Sequence, residues 1–132
     1  MLGILNISEG STIGLHAAVH LSKAGGDPVT TKEAAEAMKV SAAHLSKILQ
    51  RLTKTGIVNA VRGPKGGYLL NKPLSEIRLL DIFEAIEGPM KLKSCLMTHP
   101  RCGQDGCMLG DMMADVNKTV TQHFQKKLSQ IC

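Results

Sequence analysis

Three cysteines stand close together in the pattern Cys95-x6-Cys102-x4-Cys107, within a stretch punctuated by Pro100, Gly103 and Gly106. Thiolates are soft ligands that select zinc, copper(I) or iron–sulfur clusters. The two glycines permit the backbone turns needed to converge three sulfurs on one centre. Structural zinc sites usually present closely paired cysteine knuckles, and no such pair occurs here. Residue type and spacing therefore favour an iron–sulfur cluster, with zinc or a thiol redox switch as the alternatives. Cys132 reads as a free surface thiol at the chain end.

The second chemical feature is charge. Lys39, Lys47, Arg51, Lys54, Arg62, Lys65 and Lys72 follow one another with no Asp or Glu between Glu36 and Glu76. An acid-free basic stretch is a directed cationic surface if the segment folds compactly. Its bland counterpart is a solvated face with no partner. Within the stretch, Arg62-Gly63-Pro64-Lys65-Gly66-Gly67 packs three glycines, a proline and two cations into six residues. An ordinary hairpin turn needs fewer glycines. The surplus suits a tip that approaches a sugar–phosphate backbone closely, with Arg62 and Lys65 drawn to a narrow minor groove.

The elements that must position these groups can be read in order. Ile13, Ala17, Val19 and Leu21 mark a helix from Thr12 to Lys23, capped by Ser8 or Ser11 and stopped by Gly25-Gly26-Asp27-Pro28. Thr30 with Glu33 forms a capping box, so a second helix starts near Thr31 and runs about two turns. Lys39-Val40 interrupts it. Ser41 caps a third helix, Ala42 to Lys54, whose Leu45, Ile48, Leu49 and Leu52 form a buried stripe. Gly56 sits where a helix-ending glycine belongs. The run Ile57 to Val61, the glycine-rich turn and Tyr68-Leu69-Leu70 make a β-hairpin.

A short helix, a tight turn, a second helix and a hairpin are the layout of a winged helix-turn-helix. The third helix would be the recognition helix, entering a major groove by its N-terminal residues. Ser41, His44, Lys47 and Arg51 face away from the apolar stripe. Ser41 and His44 can bond bases or phosphates, Lys47 can reach a guanine edge, and Arg51 with Lys54 would hold phosphate. Beyond the hairpin, Ile77, Leu80, Ile82, Phe83 and Ile86 mark a fourth helix ended by Gly88-Pro89. Residues 90–110 are irregular. Met112, Val116, Val120, Phe124 and Leu128 mark a long last helix from Asp111 to about Gln130. That four-residue recurrence drifts around a straight helix and suggests oblique packing on a partner helix. The expected class is mainly α with a small β-hairpin. Residues 1–88 form a DNA-binding domain, 89–110 a cysteine-containing loop and 111–132 a C-terminal helix.

The segment from Val61 to Leu70, Val-Arg-Gly-Pro-Lys-Gly-Gly-Tyr-Leu-Leu, preceded by Ser41-x-x-His44-Leu45-x-Lys47-Ile48-Leu49-x-x-Leu52, resembles the IscR/NsrR/CymR family of bacterial winged-helix transcription regulators. The resemblance covers almost the whole chain. It implies homodimers that bind imperfect palindromes in double-stranded DNA, with the long helix as the dimer interface. It implies DNA contacts at Ser41, His44, Lys47, Arg62 and the wing glycines Gly63, Gly66 and Gly67, and the reading of the tip adds Pro64 and Lys65. The family often carries Tyr where this chain has His44. Cluster-binding members hold three cysteines just before the long helix, which places Cys95, Cys102 and Cys107 on a 2Fe–2S or 4Fe–4S cluster that senses iron, redox state or nitric oxide. Some members use a His three residues after the third cysteine; here that position is Gly110. His16 and Glu9 of the first helix, or His99 and Asp111 locally, are the candidates for a fourth ligand.

Composition bounds the rest. The chain has 132 residues, one domain's length, with 16 basic and 11 acidic side chains and a net charge of +5. The excess favours an anionic partner. Phe83, Phe124 and Tyr68 are the aromatic residues, too few for a base-stacking platform on single strands. The apolar opening is short and uncharged, unlike a signal peptide, and no run of about 18 apolar residues could span a membrane. A reducing cytoplasmic setting is expected. No nucleophile–base pair or phosphate loop points to an enzyme. Two competing readings remain: a regulator of the same fold without metal, governed by thiol chemistry or a partner protein, and a small iron–sulfur electron carrier, which has no use for a basic wing.

Overall fold

The computed structural model describes residues 7–95 and 106–131. Helix α1 spans Glu9–Lys23, α2 Thr31–Met38, α3 Ala42–Lys54, α4 Leu79–Glu87 and α5 Gly110–Phe124. Strands β1, Val58–Val61, and β2, Gly67–Leu70, form one antiparallel hairpin between α3 and α4. This is the mainly helical fold with a small hairpin that the sequence predicts.

Local chemistry sets the helix boundaries. The Ser8 hydroxyl accepts the Ser11 amide at 3.1 Å and starts α1 a turn earlier than its apolar stripe suggests. Ser11, the other candidate cap, is buried inside that helix. Thr30 accepts from the Glu33 amide and Ser41 from the His44 amide, so both expected caps form. Between α2 and α3, Lys39 adopts a left-handed φ of 57°, which turns the chain within two residues.

Leu45, Leu49, Leu52, Val58, Ile77, Ile82 and Leu128 are the fully buried large side chains. α1, α3 and α4 pack on one another around them. At the α1–α4 crossing a Cβ on Gly14 would fall 2.2 Å from Ile86 Cδ1, so any larger residue would make the Ile86 side chain shift. In α4, Leu79 takes the inward position and Leu80 is only half-buried.

The C-terminal region differs from expectation. The sequence stripe predicts a helix to about Gln130, but α5 ends at Phe124. The chain then turns back, and the Leu128 amide donates to the Ile77 carbonyl at 2.8 Å while the Leu79 amide donates to Lys126 at 3.0 Å. A short 3-10 turn, Leu128–Gln130, follows. Leaving the helix lets Leu128 enter the common core, which continuing it would not. Phe124 meets Phe83 edge-on, ring centroids 5.7 Å apart. At the other end of the stripe Met113 is buried, and Met112 is exposed.

Candidate nucleic-acid interface

Helix α3 turns one face into the core and leaves the other to solvent. Leu45, Ile48, Leu49 and Leu52 fill the buried side. Ser41 and Lys47 are exposed, and His44 and Ser46 are half-buried. The first turn of α3 carries no acid, so its N-terminal amides and cap face solvent without a competing carboxylate.

The hairpin follows α3 after three residues and pairs Val58 with Leu70, Asn59 with Leu69, Ala60 with Tyr68 and Val61 with Gly67. Its base is fixed by the Asn71 side-chain amide on the Gly56 carbonyl at 3.1 Å. Arg62, Gly63, Pro64 and Lys65 form an exposed tip. The expected surplus of glycine disappears in the structure. Gly63 has φ +111°, and Gly67 has φ +147°. A Cβ on Gly66 would fall 2.3 Å from the Val61 carbonyl oxygen. Gly63 and Gly67 are thus required by their φ and Gly66 by the crowded turn, and the charge of the tip, not its glycine content, is what points outward.

Lys39, Lys47, Arg51, Lys54, Arg62, Lys65 and Lys72 are all exposed. Among the described residues none of these seven joins an ion pair; the pair that does form is Arg78–Asp81, at 2.8 Å. Lys72 acts electrostatically on Asp81; the other six carry no such paired acid among the described residues. Arg51 is a special case. Its Nη1 donates to the Ile86 carbonyl at 2.7 Å, at the end of α4. Part of the guanidinium expected on phosphate is committed inside the protein.

The cysteine region flanks α5. Cys107 is exposed just before the helix, and its Sγ accepts the Leu109 amide at 3.4 Å. Backbone amide donation of this kind is the outer support that metal-bound sulfurs receive. Cys95 is half-buried. Two residues earlier, the Lys93 carbonyl accepts the Asn117 side-chain amide of α5 at 3.0 Å. Both arms of the loop are thereby attached to one helix, an arrangement that fits a thiolate-held group. Cys102, His99 and Cys132 lie outside the described residues. His16, Glu9 and Asp111 are exposed. Among the described residues no three His, Cys, Asp or Glu side chains gather closely enough to hold a metal.

Three contacts here escape the sequence reading: Arg51 on Ile86, Ser11 on Glu87 and Asn117 on Lys93. One had a signal. Glu87 ends a helix, where the negative dipole end repels a carboxylate, so a donor partner was to be expected.

Comparison with known proteins agrees with this architecture. Residues 7–132 match the Rrf2 family, described as an iron-dependent transcriptional regulator. The HTH-type transcriptional regulator IscR of Escherichia coli O1:K1 is 36% identical over 100 residues, covering 76% of this chain and 60% of that protein. IscR of Photorhabdus laumondii is 33% identical over 94 residues, covering 71% and 57%. The chain thus spans less than two thirds of the length of these relatives. Among solved structures, CymR, the global cysteine regulator of B. subtilis, superposes with a TM-score of 0.76 at 24% identity, covering 96% of this chain and 95% of its own; it shares the fold. T. potens IscR superposes with a TM-score of 0.73 at 25% identity, covering 96% and 85%. These relatives are regulators, not enzymes. Among the described residues no helix is long and apolar enough to cross a membrane. With the match running from residue 7 to the last residue, the chain belongs to the Rrf2 family of transcriptional regulators.

Proposed function

We propose that this protein is a homodimeric transcription regulator that binds an imperfect palindrome in double-stranded DNA in the reducing cytoplasm. The observation that carries the reading is the solvent face of α3 and the wing: exposed cations, unneutralised among the described residues, beside a helix whose opposite stripe is fully committed to the core. Ser41, His44 and Lys47 would meet base edges in the major groove. Arg62 and Lys65, set on the Gly63–Gly67 tip, would follow the adjacent backbone or minor groove. Dimerisation through α5 is supported by exposed apolar side chains at and just before its start: Met108 is 96% exposed, and Leu109 and Met112 each 39%.

Within this reading Cys95, Cys102 and Cys107 hold an iron–sulfur cluster. The description of the family as iron-dependent supports it, as do the attachment of both loop arms to α5 and the amide donated to Cys107. Such a group supplies iron–thiolate bonds that oxidants, iron shortage or nitric oxide can break. The chain's own residues do the rest: Asn117 and the start of α5 fix the loop arms, and α5 presents the dimer face. The test is an ultraviolet–visible spectrum and iron and sulfide analysis of anaerobically purified protein, followed by duplex binding across a salt series. A brown protein whose operator affinity changes when the cluster is removed is expected. A colourless protein with no acid-labile sulfide would refute the cluster, and salt-insensitive or absent DNA binding would refute the regulator.

One observation favours a second reading, a regulator without metal that responds through thiol chemistry. Cys107 is exposed, which leaves its sulfur open to oxidants in solution. A colourless protein whose DNA affinity changes on mild oxidation would select it.

A further inference from the structure

We infer that Arg51 is a positioning residue that ties the pose of α3 to the segment leading into Cys95. The inference rests on the regulator reading above. It starts from the last turn of α4. There the Met90 amide, which could have approached the Ile86 carbonyl, donates instead to Glu84 Oε2 at 3.0 Å. The Ile86 carbonyl is left without a helical partner, and Arg51 Nη1 takes it at 2.7 Å. A guanidinium on a helix C-terminal carbonyl also meets the negative end of that helix's dipole.

The neighbouring residue is held from the other side. Glu87 Oε1 accepts the Ser11 hydroxyl at 2.8 Å and also the Ser8 hydroxyl that caps α1. The Ile86 side chain itself packs directly against Gly14, its Cδ1 2.2 Å from where a Cβ would stand. The pair Ile86–Glu87 is therefore gripped by α1 and by α3 together. Gly88, with φ +82°, follows at once, and the chain runs on to the Lys93 carbonyl held by Asn117 and then to Cys95. Met90 on Glu84 and Lys93 on Asn117 tie this connection at two points, so displacement of the segment before Cys95 is transmitted to the end of α4, whose carbonyl α3 holds.

The experiment compares wild type with Arg51→Gln and Arg51→Lys in the full chain. Operator affinity is measured with the cluster loaded and removed, over a salt series. Wild type should give a loaded-to-free affinity ratio different from one. In R51Q that ratio should fall to about one, with the cluster spectrum and salt slope unchanged. R51K keeps a donor able to reach the carbonyl and should restore the ratio. In the metal-free protein, R51Q should raise amide exchange about threefold or more in both 42–54 and 86–95. An R51Q ratio equal to wild type, or exchange rising in one segment alone, overturns the inference. So does a salt slope smaller by about one with the ratio preserved, which would make Arg51 a phosphate contact. A wild-type ratio of one with a verified cluster instead refutes the switch in the regulator reading itself.

Discussion

Val29 and Tyr68 exchange both backbone hydrogen bonds, the Val29 amide on the Tyr68 carbonyl at 2.9 Å and the Tyr68 amide on Val29 at 2.8 Å. The wing is thereby stitched to the loop between α1 and α2 as well as to its own first strand. Gly67 makes this approach possible. Its φ is +147°, and a Cβ there would fall 2.5 Å from the Val29 carbonyl carbon and oxygen. Gly67→Ala should therefore cost about 1–3 kcal/mol of stability. It should also weaken duplex binding beyond that loss, because the wing is freed from the α1–α2 loop. Chemical denaturation and a DNA titration at matched folded fraction check this. Binding as tight as wild type would show that the stitch does not set the wing's pose.

The last segment divides core from surface in a way that two substitutions can separate. Leu128 is fully buried although it lies past the end of α5, whereas Met112 on α5 is 39% exposed. Leu128→Ala should lower the unfolding free energy by about 2–5 kcal/mol. Met112→Lys should change the monomer's stability by no more than about 0.5 kcal/mol while raising the concentration at which the protein dimerises. Denaturation midpoints and sedimentation at several concentrations give both values. Unchanged self-association in M112K would remove Met112 from the dimer face.

What could be read from sequence follows a physical rule visible in these residues. Thr30 with Glu33, and Ser41 with His44, are three residues apart, so each cap is decided by neighbours along the chain. The stripe of α3 and the crowding at Gly66, against Val61 and Gly63, are local in the same sense. Arg51 on Ile86 spans 35 residues and Ser11 on Glu87 spans 76, and no periodicity signals such a pair. The end of α5 failed for a related reason. Leu128 keeps the four-residue spacing of the helix, but its burial depends on Ile77 and Leu79, which pair with the returning chain. The wing glycines were noticed for their number, yet their cause lay in the distant Val29 and in the crowded turn. The cysteines declared their chemistry by type and spacing; their attachment to α5 through Asn117 did not.

Acid should expose the role of the pair that closes the base of α4. Burial pushes the Asp81 carboxyl up, but hydrogen bonds from the Arg78 side chain and backbone, aided by the charges of Arg78 and Lys72, outweigh it and hold the group below its ordinary 3.8. The hydrogen bond and charge of Asp81 in turn raise Arg78. A carboxyl depressed in the folded state stabilises it above the unfolded value, and that contribution is lost as pH falls through the lower, folded value. Asp81→Asn should thus be less stable than wild type at neutral pH, with the difference shrinking below pH 3.8. The pair is partly exposed, so the neutral-pH loss should be no more than about 1 kcal/mol. Thermal unfolding across a pH series measures it, and a difference that grows in acid would contradict the assignment.

Lys47 and Arg62 distinguish base reading from charge alone. Both are exposed and, among the described residues, unpaired, one on α3 and one at the wing. If Lys47 meets a guanine edge, Lys47→Ala should weaken specific binding by about 1–3 kcal/mol and relax preference at one base-pair position. If Arg62 follows the backbone, Arg62→Ala should weaken specific and random duplexes alike and lower the salt slope by about one. Binding isotherms on operator and scrambled duplexes over a salt series resolve the two patterns. Should both variants lose specific and random affinity equally, α3 contributes charge without reading sequence; should neither lose any, the duplex does not occupy this face.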